Sequence, residues 1–164
     1  MMNLDQIRPH IFVGSCPMNA ADVDWLKREA GISAVLNVQT QEDFDYWAID
    51  WPALQSAYHE SRIEVRHVPV PDFSPESLRL LLPDCVEALR ALLEAGHTVL
   101  VHCSAGINRS PSTVIAYLHW FEGWELDAAL EHVRRCRNCD PYVDAIRLAT
   151  ADRAGGPGSA EQPS

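Results

Sequence analysis

The stretch Val99–Ser112, VLVHCSAGINRSPS, decides how the rest of the chain is read. With Thr98 it opens as TVLVHC (98–103), a continuous β-branched run of the kind that forms a central strand covered on both faces. It closes on SPSTVIAYLHWFEGW, a helical pattern that extends to Gly123 and its neighbour. A loop joining a strand to a helix turns successive N–H groups inward, and the helix adds the positive end of its dipole. Ser104, Ala105, Gly106, Ile107 and Asn108 offer such amides, and the small residues among them let the backbone close around an oxyanion. Arg109, at the helix start, is placed to fork two N–H groups onto two oxygens of a phosphate.

The same field acts on Cys103. A free thiol titrates near ~8.5, and a helix start with a cationic neighbour lowers that to about 3.5–7.5, so Cys103 is expected to be a thiolate nucleophile at neutral pH. Ser110 can donate a hydrogen bond to the sulfur and help it leave. His102 is expected to orient the loop through a ring N–H rather than to act as a base, because a thiolate needs none. An isolated cysteine at a strand end is ordinarily a structural thiol. Histidine, cysteine, small residues, arginine and serine at these spacings weigh against that here. Cleavage of a phosphate monoester also needs a proton donor for the leaving oxygen. VPVPDFSPES (68–77) places Asp72 in a loop between a strand and a helix, with Asp43 and Asp84 as weaker alternatives.

At 164 residues, a single catalytic domain over 1–153 followed by a disordered tail, AGGPGSAEQPS (154–164), is expected. The formal charge of −10 weighs against nucleic acid and anionic lipid as partners. No apolar run approaches the roughly 20 residues that span a bilayer. The five cysteines form no framework spacing and MMNLDQIRPH has no signal-peptide layout, so a reducing, cytoplasmic setting is expected. Cys136 and Cys139 form a lone C-x-x-C pair, better explained as two helix-end cysteines than as a zinc or redox site; no metal and no cofactor is called for. Neither composition nor spacing points to an oligomeric state. HIFVGS (10–15) is expected as the first strand, ISAVLNVQ (32–39) as a buried one, and RIEVRHVPV (62–70) as an alternating one. Helices are expected from Asn19 to Gly31, from Ser74 to Gly96 with Pro83 breaking or kinking it early, and on both sides of Gly123. A last helix follows Pro141. Strands alternating with helices imply a three-layer α/β domain with a mainly parallel central sheet.

With these residues assembled, the chain resembles a dual-specificity phosphatase of the cysteine-dependent protein tyrosine phosphatase superfamily. Its signature of histidine-cysteine, five residues, arginine and serine or threonine is matched by His102 through Ser110. The resemblance implies metal-free, two-step hydrolysis through a phosphocysteine, with Asp72 on the acid loop. Over most of residues 5–152, IRPHIFVGSC, VPVPDFSPES, LLEAGHTVLVHCSAG and CDPYVDAIRLAT are similar to the catalytic domains of glucan phosphatases. That group carries glucan-contacting aromatics where this chain has VQTQEDFDYWAIDW (38–51), which puts Tyr46 and Trp47 in that role and Phe73 beside the acid. Sugars present apolar C–H faces that stack on aromatic rings, which gives such a platform a physical basis. Trp51, Trp25 and Trp120 are expected in the core. The substrate implied is a phosphorylated α-glucan, with phosphoprotein as the alternative and phospholipid or mere phosphate binding behind it. Two departures stand out. Asn108 occupies a position that is glycine in the group, where its tolerance of left-handed angles is expected to preserve the loop. No stretch of the chain matches the group's separate carbohydrate-binding module, so glucan affinity is expected from the phosphatase domain itself.

Overall fold

The structure, a computed structural model, describes residues 2–155. Five strands form one sheet in the order β1-β2-β5-β3-β4: β1 is Leu4–Arg8, β2 Ile11–Gly14, β3 Ala34–Asn37, β4 Glu64–His67 and β5 Val99–His102. β2, β5, β3 and β4 run parallel to one another, and β1 pairs antiparallel with β2. The mainly parallel sheet is as the alternation of elements requires, and the strand that opens the quoted stretch is its centre. β1 is an addition to the expected set. In LDQIR only Ile7 is buried, so this edge strand carries no apolar alternation to announce it.

Among the described residues seven helices cover the two faces: α1 (Ala20–Arg28), α2 (Gln41–Tyr46), α3 (Trp51–Glu60), α4 (Pro75–Glu94), α5 (Arg109–Phe121), α6 (Leu126–Cys136) and α7 (Val143–Ala154). β5 shows why both faces must be covered. Val99 and Val101 enter the core beneath α4 to α7, while Leu100 points into the opposite core formed by α1, α2 and α3. Asn19 caps α1 through its side chain and Ser74 caps α4, as their positions imply.

Three expectations need correction. Pro83 does not break α4, which runs unbroken for 20 residues. The proline sits on the exposed side, while Leu78, Leu82, Cys85, Val86, Leu89 and Leu92 bury the other, and that packing carries the helix past the missing N–H. Trp25 is not a core residue but stands exposed on α1. Trp51 stacks on Phe44 and Trp120 donates its indole N–H to Thr150, both half-buried. Finally, Ala154 belongs to α7 and Gly155 is its C-cap; the rest of the expected tail, 156–164, lies outside the described residues. Among the described residues no helix is long and apolar enough to cross a membrane.

Because Leu100 is fully buried at the centre of the sheet, Leu100→Ala is expected to cost about 2–5 kcal/mol, read as a lower denaturant midpoint at unchanged m-value.

Candidate active site

The parallel strands β2, β5, β3 and β4 end on the same edge of the sheet, where ligands of open α/β folds bind. The loop from Cys103 to Asn108 leaves β5 at that edge and enters α5 at Arg109. Each of its carbonyls from residue 103 to 107 is tied outward. His102 Nδ1 bonds the Cys103 carbonyl at 2.9 Å, and the Cys16 amide bonds that of Ser104 at 2.9 Å. Arg137 donates to the Ala105 and Gly106 carbonyls at 3.0 and 2.7 Å, and the Asp140 amide bonds that of Ile107 at 2.8 Å. A peptide unit points its N–H opposite to its C=O, so the amides of residues 104 to 108 turn toward the loop's centre. Among the described residues, the Gly106 amide meets the Cys103 sulfur at 3.3 Å and the amides of Ser104, Ala105, Ile107 and Asn108 meet no backbone carbonyl. Such a ring of donors at a helix start is a receptor for an oxyanion.

Gly106 is the left-handed residue of the loop, at φ +71°. A Cβ there would lie 2.5 Å from the Gly14 carbonyl oxygen and 2.6 Å from Arg137 Nη2. Asn108, by contrast, sits at φ −125° and ψ −70° and makes no capping bond. Its tolerance of left-handed angles is therefore unused; the loop keeps its shape because glycine stands two residues earlier. The Asn108 Oδ1 is buried without a partner.

Cys103 is almost fully buried, and Ser110 Oγ lies 3.3 Å from its sulfur, within hydrogen-bond reach. His102 is wholly buried. Desolvation lowers its pKa from 6.5 to about 4, so it stays neutral, with Nδ1 donating to the Cys103 carbonyl.

Arg109 departs from the expected geometry. Its two terminal nitrogens fork onto Asp43, Nη1 to Oδ2 and Nη2 to Oδ1, each at 2.9 Å, and Nη1 also reaches the Val70 carbonyl. What remains for a phosphate is Nε, buried without a partner, and the second proton of Nη2, which now faces Asp72 Oδ2 at 3.2 Å. Asp43, one of the alternatives for the acid, is instead this arginine's counter-ion. Burial alone would raise its pKa, but bonds from Arg109, Thr40 and Ser104 outweigh burial and hold the carboxyl well below the ordinary carboxylate range. Gln39 extends the network by donating to Ser104 Oγ at 3.1 Å. Thr40 and Asp43 form a capping box on α2, a spacing visible in the sequence; the link to Arg109, 66 positions on, is not. Val70, Gln39 and Arg137 gave no local signal either.

Asp72 lies in the turn between β4 and α4, with Oδ1 accepting from the Phe73 amide at 2.9 Å. Phe73 adopts φ +57°, a costly angle for an aromatic residue, and holds its ring 86% exposed. Asp84, the remaining alternative, is exposed on α4. Tyr46 ends α2 and Trp47 caps it, their rings edge to face with centroids 5.1 Å apart. Phe44, two residues before Tyr46, turns inward to Trp51 and so fixes which aromatics face out. A cavity of about 440 Å³ brings Tyr46, Trp47, Asp72 and Phe73 together with Ser104 and Ala105 of the cysteine loop. The candidate acid Asp72 and the three candidate aromatics thus line one cavity with the cysteine loop, while Asp84 lies apart on α4. Cys136 ends α6 and is, like Cys139, a free thiol.

The chain belongs to the dual-specificity phosphatase family: residues 11–141 match the family's catalytic domain. It is 39% identical to phosphoglucan phosphatase LSF1 of Arabidopsis thaliana over 92% of this chain and 25% of the relative. It is 35% identical to laforin of Mus musculus over 93% of this chain and 49% of laforin. The chain therefore spans between a quarter and a half of the length of these relatives. The crystal structure of Tk-PTP in its active form superposes with a TM-score of 0.72 at 23% identity, covering 91% of this chain and 94% of that one, and bears on the fold alone.

Asp43→Ala would remove the forked partner of the buried Arg109 and leave it only the Asp72 carboxylate at 3.2 Å, and is expected to cost about 3–5 kcal/mol in chemical denaturation. Acid should weaken the fold in two windows. A His102 whose folded pKa is depressed takes up no proton between pH 6.5 and about 4 while the unfolded chain does, so stability falls by about 3 kcal/mol across that range. Asp43, depressed as an acid, contributes stability that is present above 3.8 and lost as pH falls through its folded value. Melting curves against pH check both, and His102→Gln should flatten the upper window.

Proposed function

We propose that the chain is a phosphomonoester hydrolase that works through a phosphocysteine and acts on phosphorylated α-glucan in a cytoplasmic, reducing setting. The observation that carries the substrate reading is the shared cavity: two exposed aromatics from α2 and its cap, and a third held out by a strained turn, stand around the acid and the cysteine loop. Sugar rings stack on such surfaces. The likeness to LSF1, a relative named for phosphoglucan, supports the same reading.

In the first step Cys103 Sγ attacks phosphorus, the S–P bond forms and the ester P–O bond breaks. The amides of residues 104 to 108, with Arg109 Nε and Nη2, hold the non-bridging oxygens. A dianionic phosphate displaces Asp72 from Nη2, and the freed carboxylate takes up a proton from solvent and passes it to the leaving oxygen. In the second step Asp72 takes a proton from water, the water oxygen bonds phosphorus, and the S–P bond breaks as Ser110 donates to the departing sulfur. Inorganic phosphate leaves and the site is restored. Each part is a residue of this chain.

Phosphate release from phosphorylated amylopectin or glycogen, beside phosphopeptides and phosphatidylglycerophosphate, tests the reading. Higher kcat/KM on glucan is expected; turnover on phosphopeptides with none on glucan overturns the substrate and keeps the chemistry. Cys103→Ser is expected to abolish release from every substrate. Asp72→Ala is expected to lower kcat by about 10²–10⁴ with binding largely kept. Tyr46→Ala and Trp47→Ala should weaken glucan turnover while para-nitrophenyl phosphate turnover stays near wild type.

A further inference from the structure

We infer that Arg137 is a positioning residue for the oxyanion cradle, holding two consecutive peptide units of the cysteine loop so that the Gly106 and Ile107 amides face the phosphate site. Arg137 lies 27 residues beyond the last residue of the histidine-to-serine signature, Ser110, and no role was assigned to it from the sequence. α6 ends at Cys136, and the backbone at Arg137 turns extended, at φ −146° and ψ 136°. Its guanidinium, 6% exposed, lies behind the loop. Nη2 donates to the Ala105 carbonyl at 3.0 Å and Nε to the Gly106 carbonyl at 2.7 Å. Nη1 and Nη2 are held in turn by Asp5 Oδ2 at 3.0 Å and Asn3 Oδ1 at 2.6 Å, at the start of the chain.

Of the five outward ties on the loop, three come from single groups, and Arg137 alone supplies two. They fall where the loop is least able to hold itself. Gly106 has the widest backbone freedom in the stretch and sits at φ +71°, and Ala105 and Ile107 on either side are exposed. Pinning the Ala105 carbonyl aims the Gly106 N–H, which indeed meets the Cys103 sulfur. Pinning the Gly106 carbonyl aims the Ile107 N–H. A cation on both carbonyls also polarises the two peptide units, making each N–H a stronger donor. The planar fork is what allows this. A lysine carries the charge but presents no rigid pair of N–H groups to carbonyls on successive residues.

The role rests on the phosphatase reading, so the test uses one probe that needs no turnover. Tungstate, a phosphate-like oxyanion, is titrated into wild type, Arg137→Lys and Arg137→Gln, followed by calorimetry. In parallel, kcat and KM are measured on para-nitrophenyl phosphate. Both variants are expected to bind tungstate about 10–100-fold more weakly and to lose a similar factor in kcat, with KM moving less than about threefold. Arg137→Lys should retain more of both than Arg137→Gln. Tungstate affinity and kcat within threefold of wild type in folded variants would overturn the positioning role. Where the variants do not fold, the wild-type protein decides the matter. Its Gly106 and Ile107 amide protons should shift downfield on tungstate binding, and unmoved resonances overturn the proposal. Weaker tungstate binding in the variants of a protein that hydrolyses no phosphoester would uphold the positioning and sink the enzymatic reading. Normal tungstate binding in the variants of an active enzyme does the reverse.

Discussion

A peptide unit cannot turn its oxygen and its N–H to the same side. Around Cys103 that constraint becomes a device: five successive carbonyls are bonded from outside, and five amides are left facing in. The partners come from β5 itself, the segment after β2, the end of α6 and the turn that follows it. An inward-facing ring of donors is unfavourable for a chain on its own, because those N–H groups forgo backbone partners. The fold supports it by anchoring the opposite ends of the same dipoles.

The buried Arg109–Asp43 pair serves a related end. A guanidinium under this loop, if unpaired, would carry a desolvation cost of several kcal/mol. Asp43 removes most of that by occupying the two terminal nitrogens on one side, and leaves Nε and a single Nη2 proton on the other. The carboxylate does more than neutralise. It also accepts from Ser104 and the Thr40 amide, so the first turn of α2, the cysteine loop and the arginine move as one piece. Since α2 also presents Tyr46, and Trp47 at its cap, the aromatic rim is registered against the phosphate cradle through a single aspartate.

What was legible in the sequence is what is local. A β-branched run, a small-residue loop and a helix start are contiguous, so the buried cysteine, the loop of inward amides and the central strand are all visible in one stretch. Capping residues Asn19 and Ser74 marked helices for the same reason. The family likeness singled out Asp72 among three candidate acids and added the aromatic rim. The strand β1 escaped because an edge strand with one buried side chain has no pattern to show. Pro83 misled because its local cost is overridden by a long buried face. The partners of Arg109 and of the loop carbonyls escaped because they are set by chain crossings: Asp43 is 66 residues from Arg109, and Asn3 is 134 from Arg137. Trp25 shows the opposite error, since aromatic content alone does not say which side of a helix faces water.

The edge strand β1 has a bearing on where this domain starts. The match to the family's catalytic domain begins at residue 11, at the start of β2, and that boundary alone leaves the first ten residues outside the domain. Yet Asn3 and Asp5 hold Arg137, the Asn3 carbonyl accepts from Ser15, and a side chain on Gly14 would strike that same Asn3 carbonyl at 2.5 Å. β1, Gly14 and Gly106 are stacked so closely that the strand acts as a backing plate for the loop. The supports of the cysteine loop thus reach upstream of the matched region, and a fragment cut at residue 11 would keep every signature residue while losing the contacts of Asn3 and Asp5 on which the cradle stands.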